Sequence, residues 1–355
     1  MVRTQQTTKL ILGFLFLLVL LLVACSSSGD SQEVAEEKWQ NSAHADESAR
    51  AFSRWNDADP PEIPENCAKC HSTHGYRDFL GLDGATAGQV DKPAPVGTTV
   101  ECEACHNEVA SQHHTVMMPS GSQITDLGGE ANCMECHQGR TSTVTVEEAI
   151  AGKELDQVDE ELSFINVHNK AAAATQYGTL AKGGYELAGQ EYVGFYEHDS
   201  EFDTCIACHD AHALEVVVEN CGACHAGVKT RQDLANIRVT NIDFDGDGDV
   251  MEGMSGEIET LREGLLKRIQ LYAAITEGTE KIFYEDRNPY FFDEAGEGYS
   301  TWTPRLLRVA YNYHYTTKEP GGYAHNPFYH IQLLYDSMND VGPATVSQTR
   351  PESTP

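Results

Sequence analysis

Ten of the eleven cysteines fall into five pairs of one pattern. They are Cys67-Ala-Lys-Cys70-His71, Cys102-Glu-Ala-Cys105-His106, Cys133-Met-Glu-Cys136-His137, Cys205-Ile-Ala-Cys208-His209 and Cys221-Gly-Ala-Cys224-His225. Two thiols three positions apart can add to the two vinyl groups of one haem, and the next residue then lies under the iron. A His at that position supplies the proximal ligand. The pattern therefore predicts five covalently attached haems of c type. Zinc ribbons also pair cysteines this way, but they need no His after every pair. A thioredoxin-like redox site needs one such motif, and a disulfide closed across two residues would be strained.

The ligands on the opposite faces must come from elsewhere. Ten of the fifteen histidines remain, and five irons closed by imidazole on both sides would need five of them. His44, His113, His114, His168, His198, His212 and His325 are the candidates, with one of the adjacent His113 and His114 expected to serve. His212 is too close in sequence to His209 to reach the far side of the same haem, so it is expected to ligate a neighbouring one. His74, His314 and His330 rank below these. A Met ligand from Met117, Met118 or Met134 is the alternative for one iron; Met raises the potential where a second His lowers it. Arg140, after His137-Gln-Gly, either pairs with a haem propionate or stays solvated.

A second cluster of chemistry lies in Asp243-Phe-Asp245-Gly-Asp247-Gly-Asp249-Val-Met-Glu252-Gly253. Alternating acids with glycine at the tight turn match the first half of an EF-hand calcium loop. The twelfth position should be Glu and is Met254, so Glu252 or Glu257 would have to supply the last carboxylate. Asp243, Asp245, Asp247, Asp249 and Glu252 are the candidate calcium ligands. An unliganded acidic loop is the alternative.

Composition narrows the class. The 355 residues carry 24 Lys+Arg against 55 Asp+Glu, a formal net charge of −31. That charge opposes phosphate backbones, so no nucleic-acid partner is expected. The hydrophobic fraction, 40%, is low for a globular chain. Arg3 and Lys9 precede an apolar run from Leu10 to Val23, too short for a spanning helix and suited to a signal peptide. The run ends in Leu22-Val23-Ala24-Cys25, followed by three serines and a glycine. This resembles the lipobox of bacterial lipoproteins, which implies cleavage before Cys25 and lipidation of its thiol. An uncleaved anchor helix is the alternative. Either places the chain outside the cytoplasm on a membrane, and Ser26 favours the outer membrane or cell surface over the periplasmic side.

The elements that must position these groups are sparse. The expected class is mainly α with extensive irregular loop: a haem-packed multihaem core, without a conventional apolar one, plus a C-terminal helical region. Residues 1–24 read as signal peptide, 25–60 as lipidated tether and first helix containing His44, 61–230 as the pentahaem domain, 231–345 as the calcium-loop and helical region, and 346–355 as a disordered tail. Motifs one to three start 35 and 31 residues apart, and motifs four and five only 16 apart. The gap between them holds an acidic helix candidate over 145–155. It also holds Lys182-Gly-Gly-Tyr185 with Tyr192-Val-Gly-Phe-Tyr196, which read as a short hairpin. Helices are expected over 256–277, from Pro304 to about Tyr315, and from Pro327 to about Asp340.

With these features together the sequence resembles exported multihaem c-type cytochromes of respiring bacteria. The resemblance rests on the lipobox, the five motifs, His168, Cys208-His-Asp-Ala-His212, the acidic loop, and the stretch from Tyr311-Asn-Tyr313 to Ala324-His-Asn-Pro327. It implies an electron carrier rather than an enzyme, with haem c and calcium as cofactors, redox proteins as partners and a possible terminal acceptor outside the cell. The other readings are a multihaem reductase of nitrite, hydroxylamine or tetrathionate type with one open haem, and a docking or filament component of an extracellular electron-transfer complex.

Overall fold

A computed structural model describes residues 29–168, 170–198, 202–342 and 347–352. The signal segment and Cys25 lie outside the described residues. Two compact units are present, Met1–His106 with His209–Val216, and Asn107–Cys208 with Val217–Pro355. This division cuts across the expected boundary near residue 230. Among the described residues no helix is long and apolar enough to cross a membrane.

The first unit contains α1 (Gly29–Gln40), α2 (Arg50–Ser53), β1 (Glu62–Ile63), α3 (Glu65–His71), α4 (Thr73–Phe79), β2 (Ala94–Pro95) and α5 (Cys102–Cys105). The helix expected to carry His44 stops at Gln40, where the Asn41 side-chain amide donates to the Glu37 carbonyl at 2.8 Å. His44 sits in the turn beyond, and its carbonyl accepts from Val100 N–H at 3.2 Å. β1 and β2 pair antiparallel, with Ile63 opposite Ala94. Ser72 caps α4 by accepting from Gly75 N–H at 2.9 Å. A Cβ on Gly75 would lie 2.3 Å from the Ala68 backbone, so only glycine lets α4 cross α3 this closely. The buried cluster of Ile63, Ala68 and Ala94 is small.

The second unit is different. It contains β3 (Val116–Met117), β4 (Gln123–Ile124), α6 (Glu130–Cys136), α7 (Thr143–Ile150), α8 (Ala172–Tyr177), α9 (Cys205–Cys208), α10 (Val218–Cys224) and α11 (Met254–Ile275). β5 (Phe283–Tyr284), β6 (Phe291–Phe292), α12 (Pro304–Lys318), α13 (Gly322–His325) and α14 (Pro327–Asp340) complete it. Contrary to expectation it has a conventional apolar core. Ile258, Leu261, Leu265 and Ile269 of α11 are buried against Leu306, Val309 and Ala310 of α12 and Ile331 and Leu334 of α14. Their three- and four-residue spacing places them on one helix face. Ile275, at the end of the helix, is exposed. Met118 and Met134 are buried in a second cluster with Tyr311, Tyr315 and Tyr329. Pro304 and Pro327 open their helices as expected, behind the caps Thr303 and Asn326.

The expected hairpin does not form. No strand occurs between residues 182 and 196, because the backbone groups there bond to helix side chains instead. The buried Asn312 amide accepts from Tyr185 N–H at 2.7 Å and donates to the Tyr185 carbonyl at 2.9 Å. Gln332 accepts from Val193 N–H at 2.9 Å. The acidic helix ends earlier than expected, at Ile150. Residues 347–352 are docked rather than disordered. Arg350 Nε pairs with Asp336 at 2.8 Å, and Thr349 N–H donates to the Phe244 carbonyl at 3.0 Å.

Candidate functional site

Each cysteine pair occupies one turn of helix, in α3, α5, α6, α9 and α10. Side chains three apart on a helix point to the same face, so both thiols of a pair emerge together. The following His closes the turn: its N–H donates to the first cysteine's carbonyl at 2.8 Å for His106, 3.0 Å for His137 and 2.9 Å for His225. No disulfide joins these ten cysteines. The fourth motif is divided, with Cys205 and Cys208 in the second unit and His209 in the first. Within the second unit α9 packs on both α6 and α10, bringing the pairs of motifs three, four and five into one group. The Cys133 and Cys205 thiols hydrogen-bond one another, which lowers the Cys133 pKa and raises that of Cys205.

Two histidine pairs carry the most information. The His106 and His212 ring centroids are 6.0 Å apart with planes 7° from parallel. Those of His198 and His225 are also 6.0 Å apart, inclined at 57°. With a metal–imidazole bond of about 2 Å, and about 1 Å from each nitrogen to its ring centre, two imidazoles on opposite faces of one iron have centroids about 6 Å apart. Each pair joins a motif histidine to a candidate distal one, so the donor set fits a haem iron. His212 is aimed by a tight turn. Asp210 Oδ1 accepts from His212 N–H at 3.0 Å and Ala213 N–H at 2.9 Å, and Asp210 pairs with Lys38 at 2.6 Å. That pairing holds the Asp210 carboxyl down at about 2.

The other candidates separate by what their ring nitrogens meet. His114 Nδ1 donates to the Leu127 carbonyl at 2.7 Å, which fixes the tautomer that leaves Nε2 as a ligand. His113 instead uses Nε2 on Glu135 at 2.9 Å. Of the two, His114 is the better donor. His325 Nδ1 lies 2.8 Å from the buried Glu319 carboxylate. Burial opposes its charge, but Glu319 outweighs that and raises the His325 pKa. His168 takes a left-handed backbone, φ 72°, with its N–H on Asn166 Oδ1 at 2.8 Å. Its segment lies along the third motif: Arg140 N–H donates to Val167 O at 3.0 Å, and Ala173 N–H to His137 O at 2.9 Å. The Arg140 side chain is exposed three residues past His137.

The histidines ranked low have other surroundings. His74 is exposed. His314 is fully buried, with Nε2 on Asn166 at 3.0 Å, and burial pushes its pKa down to about 3. His330 is likewise buried and held down at about 3. Of the methionines weighed as ligands, Met118 and Met134 belong to the core and Met117 is exposed.

The chain is similar to polyhaem c-type cytochromes. It is 23% identical over 350 residues to the C-type polyheme cytochrome OmcB of Geobacter sulfurreducens, covering 78% of this chain and 44% of OmcB. It is 24% identical over 339 residues to the C-type polyheme cytochrome OmcC of the same organism, covering 78% of this chain and 42% of OmcC. The chain spans less than half the length of these curated relatives. No family model and no solved structure matches it. The distant similarity supports a multihaem cytochrome.

The acidic loop joins the second unit just ahead of α11. Gly246 and Gly248 have φ of 79° and 95°, which the tight turn requires. Asp243, Asp245 and Asp247 form one cluster of carboxylate oxygens, and Asp245, Glu252 and Glu257 another. Asp249 belongs to neither. Burial, with the neighbouring carboxylates adding to it, raises Asp245 to about 6 and Glu252 to about 7. Arg238 is the nearest counter-charge, its Nη2 2.6 Å from Glu257. Crowded, desolvated acids of this kind suit a hard cation with oxygen ligands.

Proposed function

We propose that the chain is an exported pentahaem c-type cytochrome that passes electrons through haems closed by histidine on both faces. The observation that carries this is the 6.0 Å spacing of His106 with His212 and of His198 with His225. His71, His106, His137, His209 and His225 are the proximal ligands. His212 closes the haem of motif two and His198 that of motif five. His114 is the donor of its adjacent pair, and His44, His168 and His325 are the remaining distal candidates. The haem supplies one-electron chemistry at a potential set by ligands, exposure and hydrogen bonds. The protein holds the imidazole tautomers, through carbonyl partners such as Leu127, and excludes exchangeable ligands from the irons.

In this reading Cys25 carries a lipid that tethers the chain to the outer membrane or cell surface. Arg140 would pair with a propionate of the third haem, its other reading being a solvated side chain. The acidic loop is a calcium site. The surface charge steers a basic redox protein toward the chain, and the final acceptor lies outside the cell. The relatives' names, C-type polyheme cytochromes, point the same way but say nothing of this chain's acceptor.

The test is made on protein matured in a host that attaches haem c. Intact mass should show five haem additions, and the ferric spectrum should be low-spin at the irons of motifs two and five. A spectrum dominated by high-spin, cyanide-exchangeable haem would favour a reductase and defeat the carrier reading. Apo-polypeptide, or zinc in the thiol pairs, would defeat the haem assignment itself.

A further inference from the structure

The two carboxylate clusters of the acidic loop share Asp245, and in each the oxygens lie within 4.8 Å of one another. Calcium bonds of about 2.3–2.6 Å span oxygens up to about 5 Å apart, so either cluster has the right dimension. What separates them is how their oxygens are already engaged. Asp243 accepts from Gly246 N–H at 2.6 Å on one oxygen and from Gly248 N–H at 2.9 Å on the other. Asp247 and Asp249 are exposed, and each accepts from a backbone N–H two residues on, Asp249 N–H at 2.7 Å and Met251 N–H at 2.8 Å.

The inner cluster is unlike this. Asp245 is only 6% exposed, and its Oδ2 is buried without a hydrogen-bond partner. Glu252 Oε1 is also buried without a partner. Glu257 is fully buried, with Oε2 accepting from Phe244 and Asp245 N–H at 2.9 Å each and Oε1 facing Arg238. Unpaired carboxylate oxygens are costly to bury unless a cation meets them. The loop motif's twelfth position, Met254, opens α11, and Glu257 stands three residues further along the same helix face. The absent acid is thus replaced one turn later. Gly256 keeps the space clear, since a Cβ there would lie 2.0 Å from Glu252 Oε2.

We infer, resting on the calcium reading of this loop, that the ion sits between Asp245, Glu252 and Glu257 and not at the exposed tip formed by Asp247 and Asp249. The ion then fastens the first turn of α11 to the loop. All donors are carboxylate oxygens, which selects calcium over softer transition metals.

The experiment uses haem-loaded full-length protein stripped with a chelator and titrated with calcium chloride alone by calorimetry. One calcium per chain is expected. Asp245→Asn and Glu252→Gln should each weaken it at least about tenfold, and Asp249→Asn less than about twofold. Gly256→Ala should also weaken it at least about tenfold while replacing no ligand. Haem spectra and melting in chelator show that each variant is folded, and Gly256→Ala, which favours the helix, tests the seat even if the acidic variants misfold. Amide exchange over residues 254–258 should slow with calcium in the wild type. Absence of calcium binding in the wild type would overturn the calcium reading and the seat together. Calcium binding that Asp249→Asn abolishes while Glu252→Gln and Gly256→Ala leave it unchanged would overturn the seat alone.

Discussion

On the pentahaem reading, replacing His212 by Ala should convert one haem of the five, and no other, from six- to five-coordinate. The size follows from the arrangement. His212 faces a single motif histidine, His106, at 6.0 Å. Five motifs of equal cofactor content make each haem one-fifth of the iron. The ferric high-spin signal by electron paramagnetic resonance should therefore rise by one-fifth of total haem. Imidazole added to the buffer should enter the gap left by the side chain and restore the low-spin state. His198→Ala should add another fifth, and the double variant two-fifths, because the two pairs belong to different motifs. His212→Met should stay low-spin but raise one reduction potential, since a thioether favours ferrous iron relative to imidazole. His74→Ala, at an exposed residue, is the control and should change nothing. A high-spin fraction identical in wild type and His212→Ala would refute the pairing, as would a change of the same size in His74→Ala.

Expression without haem attachment should leave the second unit folded and the first unfolded: limited proteolysis should cut within 41–106 and spare 254–342, because the described buried apolar residues of the first unit, among them Phe52, Ile63, Tyr76 and Leu80, are far fewer than those of the second. Asn312→Leu should cost about 2–6 kcal/mol by chemical denaturation, since it strands the buried N–H and carbonyl of Tyr185. Burial raises the Glu186 pKa against the hydrogen bonds from Thr179 and Tyr329. The folded state then holds its proton above the unfolded value of 4.5, so this group's stabilising contribution is complete below that pH and declines as pH rises through the folded pKa. Glu186→Gln should flatten the stability profile above pH 4.5, and an unchanged slope would count against the burial argument.

What was legible in the chain depended on whether the constraint is local. Haem attachment demands two thiols and a His at fixed spacing, so all five motifs could be named and each forms the required turn. The helices of the C-terminal region were legible for the same reason: an apolar repeat, a capping residue and a proline at the first turn are all local signals. The segment over 182–196 failed because its pattern of Tyr, Val and Phe is β-prone while its hydrogen-bond partners, Asn312 and Gln332, lie far away in sequence. Strand propensity describes a residue's fit to a pleated surface, and here two side-chain amides took the place of the neighbouring strand. The low apolar fraction misled similarly. It averages over the whole chain, whereas the second unit gathers the apolar faces of α11, α12 and α14, with residues of the loops beside them, into a buried cluster.

Choosing among histidines is the hardest of these problems, because a ligand is defined by what its second nitrogen meets. His113 and His114 are neighbours of one type, yet one directs Nε2 at Glu135 and the other gives Nδ1 to a carbonyl. A carbonyl only accepts, so His114 carries a proton on Nδ1, and in its neutral form it presents an unprotonated Nε2. His314 is barred for the opposite reason: Asn166 holds its Nε2, and Phe164, Tyr284 and Tyr290 surround the ring. His330 is barred by space, since even a Cβ on Gly322 would fall 2.1 Å from its ring. Burial drives both of these toward the neutral form that a ligand also needs, so neutrality alone does not identify a ligand. What would mark a ligand is a ring facing a motif histidine, and among the described contacts His212 faces His106 and His198 faces His225, each at the 6.0 Å that a shared iron would require.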